Sequence, residues 1–411
     1  MVEAMKKDQP DGEGLSVALV HWAFPPCVGG VESHLWDYSM LLAARGVDVI
    51  VLTGTRSPAD PCHPAIRFAY HSALDLSPGR RPAADEPPLK EWFKERLRGD
   101  RAHGVGGIRL VHGHNLHHFS AVPARVLREL RDEMNLRLLH TYHSVWQSGD
   151  EHVRAAEACR GWDRHFAVSD FLAAACRAQL GIEAERRYLG VNTSSYVDVP
   201  MAGVRQEPGR LLLPARLIPD KGAEVAILAL RHLVAERNCR VRPRLVLTDP
   251  GNTVDFHFES ANFRSFLEER ICEFGLRDHV EFEVAEFKQI RKMYEVASVV
   301  IYPSLFAEPM GLAPLEAMCA GRPVVASQMG GLEEGIGQDE RIGFLVPERN
   351  PYKLADRMAL LLERPELAHE MGARARRHVM SRFDLEQDYL RPMMDEYRRQ
   401  LVMGIGGDGG C

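Results

Sequence analysis

The sequence has few cysteines and few lysines. Its eight cysteines are scattered over 411 residues, and the closest pair, Cys159 and Cys176, lies 17 positions apart without any Cys-x-x-Cys. This spacing argues against a zinc site and against a disulfide framework, and it is typical of reduced thiols in a cytosol. Only eight of the 51 basic residues are lysine. The position of each lysine therefore carries slightly more weight than usual.

The sequence also lacks a long apolar run and an excess of positive charge. No run approaches the length of a membrane span, and residues 1–14 are polar without an apolar h-region. We therefore expect no signal peptide, no membrane association and a cytoplasmic location. The formal net charge of −6 disfavours a nucleic-acid partner. Contents of 45% apolar and 26% charged residues are those of a globular protein.

Two sequence signatures are missing. No segment that follows a predicted strand fits G-x-G-x-x-G, because GVGGIR at 104–109 precedes a strand instead. This disfavours a nicotinamide-dependent dehydrogenase. No repeat of about 20–50 residues is present, which disfavours a solenoid or a propeller.

Apolar, β-branched runs alternate with helical patterns such as 32–44 and 121–133 throughout the chain. This alternation predicts an α/β protein with parallel sheets covered on both faces. The length predicts two or three domains. The predicted strands of the first half are 17–22, 47–54, 108–112, 136–141 and 165–169; those of the second half are 211–215, 244–248, 280–284, 299–302, 323–327 and 343–346.

A polar segment rich in proline and glycine, PMAGVRQEPGR at 200–210, is interpreted as an interdomain linker. It separates a first domain at 1–199 from a second at 211–384, and a terminal helix with a disordered tail follows at 385–411. The charged segment 80–107 is interpreted as an exposed excursion. Because ligands of open parallel sheets bind at the carboxyl ends of strands, two facing sheets would enclose a cleft.

The most informative segment is YPSLFAEPMGLAPLEAMCAGRPVVASQMGG at 302–331. A strand ends near Pro303, and a helix is predicted from about Ala313. The helix N-terminus suits a phosphate, and Gly311 allows the backbone to approach it closely. Pro309 indicates that Glu308 lies ahead of the helix, whereas Glu316 lies along it. A strand-to-helix turn with solvated glutamates is the alternative for either residue alone.

This segment resembles the retaining glycosyltransferases of family four, whose hallmark is E-P-x-G-L-x-x-L-E-A-M; here it reads EPMGLAPLEAM. The resemblance implies a GT-B fold of two Rossmann-like domains, the first binding the acceptor and the second the nucleotide sugar. It also implies that Glu308 contacts sugar hydroxyls and that Glu316 holds the donor ribose. The backbone of Met310, Gly311 and Leu312 would meet the diphosphate.

Arg216 and Lys221 follow the first strand of the second half, in LLPARLIPDKG at 212–222. Two cations at the end of a strand can hold a leaving diphosphate. Two basic residues in one loop are usually only solvated residues of the protein surface. The family pattern G-R-x-x-x-x-K-G matches, with Ala215 in place of the usual Gly, and implies this leaving-group role.

The loop after the first strand, WAFPPCVGGVE at 22–32, contains Gly29 and Gly30. A Gly-Gly pair alone is weak evidence. The family has a G-G-x-E loop here, which approaches the donor phosphate and the acceptor.

Histidines follow two neighbouring strands, in VHGHNLHHF at 111–119 and HTYHS at 140–144. Six such histidines could suggest a metal site, but we interpret His112, His117 and His118 as capping or surface residues. The resemblance implies that His143 contacts the transferred sugar. His114 and Asn115 are weaker candidates for acceptor binding.

The segment after His143 contains two adjacent carboxylates, Asp150 and Glu151. They could bind a cationic acceptor through charged hydrogen bonds. Alternatively, they only begin a helix, where acids suit the N-terminal dipole.

The resulting hypothesis is a retaining hexosyltransferase that needs no metal or other cofactor. It would transfer a hexose or N-acetylhexosamine, from UDP-glucose or UDP-GlcNAc, to a small soluble acceptor. The segment HWAFPPCVGGVESHLWDY at 21–38 is similar to transferases that glycosylate aminocyclitols such as 2-deoxystreptamine in antibiotic biosynthesis. A nucleotide-sugar epimerase, a transferase with a lipid acceptor and a non-enzymatic nucleotide-sugar sensor remain alternatives.

Overall fold

The structure is a computed structural model. It describes residues 11–25, 27, 29–55, 66–75, 86–99, 107–118, 120–145, 149–201, 206–236, 241–249, 260–285 and 289–403, and the side chains of 86, 150–152, 260 and 261 lie outside this description. Within these ranges, strands and helices alternate in two parallel sheets.

The first sheet has seven strands in the order β3-β2-β1-β4-β5-β6-β7, all parallel. Its central strands are almost fully buried because helices cover both faces. The strands are β1 (Ser16–His21), β2 (Asp48–Thr53), β3 (Ile66–Tyr70), β4 (Leu110–His114), β5 (Arg137–Tyr142), β6 (Arg164–Ala167) and β7 (Glu185–Arg186). The helices are α1 (Gly30–Ala44), α2 (Glu86–Leu97), α3 (Val122–Met134), α4 (Gly149–Arg160) and α5 (Asp170–Ala175).

The second sheet has six parallel strands in the order β10-β9-β8-β11-β12-β13. The strands are β8 (Arg210–Leu213), β9 (Arg244–Thr248), β10 (Val280–Glu283), β11 (Val299–Tyr302), β12 (Val324–Ser327) and β13 (Phe344–Val346). The helices are α6 (Ala223–Glu236), α7 (Ser260–Glu273), α8 (Ile290–Val296), α9 (Leu312–Cys319), α10 (Gly331–Ile336), α11 (Pro351–Glu363), α12 (Pro365–Arg382) and α13 (Arg391–Met403).

The predicted fold class is confirmed, and each predicted strand overlaps an observed one. Two edge strands were not predicted. The edge strand β3 is only partly buried beyond its first residue. The other, β7, has two exposed charged residues, so neither carries the apolar run by which buried strands are recognised.

The interpretation of 80–107 as an exposed excursion is wrong for the part that the structure describes. Leu89, Phe93 and Leu97 of α2 are completely buried, at the i, i+4, i+8 spacing of one helix face. They join the core beneath α3, while Lys90 and Lys94 face outward and pair with Glu133. The charged residues between the apolar ones hide this face in the sequence.

The last helix, α13, lies against the first domain. The Tyr38 hydroxyl donates to the Tyr397 hydroxyl at 2.7 Å, and His112 Nδ1 lies 2.6 Å from the same oxygen. Burial, with His34 adding to it, lowers the pKa of His112 to about 3, so its ring is neutral and Nδ1 accepts from Tyr397. The opposite nitrogen then donates to Thr141 Oγ1 at 2.7 Å. A buried chain of hydrogen bonds thus joins α13 to β4 and β5.

Two arginines of the second domain bind the segment 196–200, where the chain leaves the first domain. Arg322 is completely buried and bonds to the carbonyl of Pro200. Arg376 donates to the carbonyls of Tyr196, Val197 and Val199. Burial lowers the pKa of Arg322 to about 10, which leaves it charged at neutral pH. The crossover is therefore positioned by charged hydrogen bonds to the backbone.

No helix in the described ranges is both long enough and apolar enough to span a bilayer.

Candidate functional site

The loop after β8 carries Lys221 on a single 3-10 turn, Pro219–Lys221. Thr248 Oγ1 at the end of β9 fixes the start of the loop through bonds to the N–H and carbonyl of Ala215, at 2.9 and 2.8 Å. Gly222 ends the turn with φ 75°, and a Cβ there would lie 1.9 Å from the Pro303 carbonyl oxygen. Only glycine allows this approach, which brings Lys221 against the end of β11.

Glu308 is the partner that meets Lys221. Its Oε1 atom lies 2.5 Å from Lys221 Nζ and also accepts from Ser304 Oγ at 2.9 Å and Tyr302 Oη at 3.2 Å. Burial lowers the pKa of Lys221, but the Glu308 carboxylate and Tyr302 outweigh it, so the pKa stands above its usual value. Arg216 is close enough to act in the opposite direction. Lys221 thus lies against one buried carboxylate, with Arg216 close enough to influence the lysine's pKa.

Helix α9 begins directly after this carboxylate. Gly311 is its N-cap with φ 81° and offers no side-chain cap, so the N–H groups of the first turn are left for a ligand or water. A Cβ at Gly311 would lie 2.5 Å from Leu332 Cδ2, whereas Met310 is buried beneath the turn. As predicted, Glu308 lies outside the helix and Glu316 within it.

Glu316 lies on the first turns of α9, where its Oε2 accepts from Tyr294 Oη at 3.1 Å. Burial raises the pKa of Glu316 to about 7; the Tyr294 hydrogen bond lowers it and Asp37 of α1 raises it further. The carboxyl group therefore titrates near neutral pH, and its charge can change on ligand binding.

This shift predicts a pH dependence of nucleotide binding. In the empty site, Glu316 carries a proton below about pH 7 and is a carboxylate above it. Because a carboxylate accepts hydrogen bonds from ribose hydroxyls more strongly than a neutral acid, we expect the affinity for a nucleoside diphosphate to rise as the pH increases through about 7. Calorimetry below and above this pH measures the rise.

The matched variant is Glu316→Gln, which keeps the shape and cannot titrate. The ligand's own phosphate titrates identically in both proteins, so the difference between their pH slopes isolates Glu316. Equal slopes would show that Glu316 does not meet the ribose.

The Gly29-Gly30 loop of the first domain lies opposite α9. A Cβ at Gly30 would lie 3.9 Å from Leu312 Cδ1, so the N-termini of α1 and α9 face each other across the domain boundary. A Cβ at Gly29 would instead meet Glu32 Oε2 at 2.2 Å. The buried Glu32 carboxylate lies 3.2 Å from His21 Nε2, and the opposite ring nitrogen of His21 lies 2.7 Å from the carbonyl oxygen of His114.

His143 and His114 lie side by side at the carboxyl edge of the first sheet, with His114 Nδ1 2.9 Å from His143 Nε2. Burial, together with the neighbouring histidines, lowers the pKa of both rings well below the usual range, so both are neutral. Each has one further buried nitrogen without a hydrogen-bond partner among the described residues. Asn115, with φ 53°, accepts from the N–H groups of His143 and Ser144 at 2.7 and 3.3 Å, so it shapes the loop.

The interpretation of His112, His117 and His118 as surface residues is wrong, because all three are buried. The capping interpretation stands for His117 and His118, which bond to the loop at Ser144. His117 Nε2 lies 2.8 Å from the Ser144 carbonyl, and His118 Nε2 lies 2.8 Å from Ser144 Oγ. The segment after β4 is polar, and its sequence gives no sign that the loop after β5 covers it. Among the side chains that the structure describes, no group of three or more His, Cys, Asp or Glu is arranged to hold a metal.

The side chains of Asp150 and Glu151 lie outside the described residues, so their role in binding a cationic acceptor stays a prediction. The backbone of both residues belongs to α4. Sequence reasoning missed several neighbours of the site. Tyr302 and Ser304 belong to the quoted segment 302–331. Their hydroxyl groups, a few positions before Glu308, could have indicated that they donate hydrogen bonds to its carboxylate. No local signature marks the remaining ones, which are His21, Thr248 and Tyr294. Glu32 had one, because it is the acidic residue of the quoted G-G-x-E loop.

Two family models match the chain one after the other. Residues 28–195 match "Glycosyltransferase Family 4", and residues 201–378 match "Glycosyl transferases group 1". Among curated proteins, a glycogen synthase of Mycobacterium tuberculosis is 28% identical over 409 residues, covering 90% of this chain and 91% of that protein. A D-inositol 3-phosphate glycosyltransferase of Kineococcus radiotolerans is 28% identical, covering 85% and 86%.

Solved structures share the fold. Sucrose-phosphate synthase of Thermosynechococcus elongatus superposes with a TM-score of 0.71 at 24% identity, over 95% of this chain and 99% of that one. The HepE protein of Anabaena, solved with UDP and glucose, gives 0.71 at 18% identity over 94% and 100%. With both family models matched in succession, the chain belongs to the group 1 glycosyltransferases of family four, and it is a hexosyltransferase of the GT-B fold that uses a nucleotide sugar.

Proposed function

We propose that the protein is a retaining glycosyltransferase that transfers glucose or N-acetylglucosamine from a UDP-sugar to a small soluble acceptor. The observation that carries this proposal is the buried group of Lys221, Glu308, Tyr302 and Ser304 directly ahead of α9. It places positive charge, a carboxylate and a helix N-terminus together, opposite the Gly29-Gly30 loop.

In this proposal the nucleoside diphosphate leaves as an anion. Arg216, Lys221 and the free N–H groups of α9 stabilise it, so that no metal is required. Glu308 binds sugar hydroxyls through the oxygen that Lys221, Tyr302 and Ser304 leave available. Glu316 holds the ribose, and the loop at Gly29 and Gly30 borders the diphosphate from the other domain.

The acceptor oxygen attacks the anomeric carbon from the face that the diphosphate leaves. The leaving phosphate oxygen takes the acceptor's proton, and no side chain is assigned as a nucleophile. His143 contacts the transferred sugar, and its neutral ring suits a hydroxyl because it can accept or donate one hydrogen bond.

The acceptor is a small polyhydroxylated molecule. The name of the inositol phosphate relatives favours a cyclitol ring. The proposal of the aminocyclitol 2-deoxystreptamine as acceptor depends on the similarity at 21–38 alone. Neither the glycogen synthases nor the inositol phosphate glycosyltransferases are named for it. A panel of 2-deoxystreptamine, inositol, inositol phosphate and a maltooligosaccharide separates these classes.

The test of the mechanism is product stereochemistry. With UDP-glucose or UDP-GlcNAc, whose sugars are α-linked, we expect an α-linked product, measured as the anomeric coupling constant in proton NMR. A β-linked product would contradict the retaining mechanism. Conversion of the donor without an acceptor would indicate an epimerase, transfer to a lipid alone would indicate a lipid acceptor, and binding without turnover would indicate a sensor.

A further inference from the structure

One carboxylate of the second domain caps a helix of the first. The two oxygens of Glu334 on α10 accept from the backbone N–H groups of Asp170 and Phe171, at 2.8 and 2.7 Å. These are the first two residues of α5, in the other domain. The next N–H, of Leu172, bonds to its own N-cap Ser169 at 3.0 Å. A helix start leaves such donors without partners inside the helix, and here two are satisfied only across the domain boundary.

The first-domain side of this contact lies at the carboxyl edge of its sheet, because α5 directly follows β6. Tyr188 borders it, and burial together with Glu334 raises the pKa of the Tyr188 hydroxyl. The Arg186 guanidinium stacks over the Tyr188 ring at 4.1 Å and pairs with Asp170 at 3.2 Å. Arg186 thus neutralises the Asp170 side chain at the start of the helix that Glu334 caps.

The second-domain side is built rigidly onto the donor site. The N–H of Gly331, the first residue of α10, donates to the carbonyl of Glu308 at 2.7 Å. A Cβ at Gly331 would lie 2.1 Å from the Pro309 carbonyl, so the start of α10 lies directly on the Glu308-Pro309 backbone. Glu334 is therefore held at a set position relative to the loop that we assign to the sugar.

We propose that Glu334 is a positioning residue for transfer: its two hydrogen bonds to α5 hold the acceptor domain against the donor site. The inference rests on the proposed function in assigning the acceptor to the first domain. Breaking the contact separates the two half-sites without altering either one. Since binding energy spent on orientation appears in the rate of the bound complex and in acceptor affinity, the main loss falls on acceptor KM and kcat. The affinity for UDP falls by less, because the first domain borders the diphosphate only through the loop at Gly29 and Gly30.

The chain offers a matched control in Glu333. It lies on the same turn of α10 and is half-buried like Glu334, but its Oε2 accepts only from Gln328 and Gln338 of its own domain among the described contacts, at 3.3 and 3.1 Å. Replacing Glu333 changes the charge of α10 equally without touching the domain boundary.

The experiment compares Glu334→Ala and Glu334→Gln with Glu333→Ala and the wild type. We expect Glu334→Ala to lower kcat/KM for the acceptor about tenfold, a loss of about 1.4 kcal/mol, and to increase the radius of gyration in small-angle scattering. Glu334→Gln, which keeps one accepting oxygen, should fall between. Calorimetry with UDP should show a smaller loss of affinity for Glu334→Ala than its loss of kcat/KM, and no loss for Glu333→Ala.

Equal scattering and equal kinetics of Glu334→Ala and Glu333→Ala would overturn the inference. If Glu334→Ala does not fold, as judged by its melting curve, the same comparison is made with Glu334→Gln. Scattering needs no substrate, so it tests the contact between the domains independently of activity. If Glu334→Ala changes the domain separation but the wild type transfers no sugar, the contact is supported and the proposed function is refuted.

Discussion

Replacing Arg216 with alanine is expected to lower kcat by about 10²–10³, because removing one preorganised electrostatic contact to a developing charge typically costs about 3–4 kcal/mol. Arg216 is only partly buried, so its loss should leave the free energy of unfolding nearly unchanged. Steady-state kinetics and urea unfolding on the same preparation measure the two quantities.

Lys221→Ala is expected to lower kcat by at least as much, with a stability loss that Arg216→Ala does not show. Lys221 forms a buried ion pair with Glu308, at exposures of 12% and 7%. Its removal leaves the Glu308 carboxylate without its cation, and breaking a buried pair costs about 3–5 kcal/mol. The contrast between the two variants separates leaving-group stabilisation from the support of Glu308.

The matched control is Arg242→Ala, an arginine of the same domain whose side chain is 58% exposed. It removes the same charge at a distance from the α9 loop and should keep both activity and stability. Glu308→Gln provides a second comparison, since it should spare the bare nucleotide and weaken binding of the nucleotide sugar. Near-native turnover of Arg216→Ala and Lys221→Ala would remove both residues from the site.

The second large effect is expected from Tyr397→Phe, which deletes one oxygen atom and keeps the ring. That oxygen accepts from Tyr38 and donates to His112, and all three side chains are buried. Leaving buried polar groups unpaired costs about 1–3 kcal/mol each. We expect the first domain to unfold at a lower urea concentration by a corresponding amount, measured by tyrosine and tryptophan fluorescence.

Val402→Ala serves as its control, because Val402 lies on the same helix and is 68% exposed. It should leave the transition unchanged. If Tyr397→Phe unfolds at the wild-type urea concentration, the hydrogen-bonded chain from Tyr38 to Thr141 contributes nothing to stability, and α13 is held by its apolar contacts alone.

Local patterns were sufficient for the parts of the site that are close in sequence. Gly311, Met310 and Leu312 belong to one strand–turn–helix, and the position of Glu308 ahead of α9 follows from Pro309. The histidine loops were located correctly at strand ends, but their burial was not. His117 and His118 are covered by the loop at Ser144, and no local pattern reports which loop covers another.

The sequence by itself determined the parallel strands of the two sheets and the places of Arg216, Lys221, Glu308 and Glu316 in the loops and helix that follow them. Alternating apolar runs and turn residues act over a few neighbouring positions, which is why a local pattern is sufficient for this. Only the tertiary structure decided that Lys221 meets Glu308, 87 positions away, that Tyr38 meets Tyr397, 359 positions away, and that Glu334 caps α5 of the other domain. These contacts depend on the order of strands in each sheet and on the packing of one domain against the other. Both are set by the whole chain, since burying all of its apolar faces at once selects one arrangement.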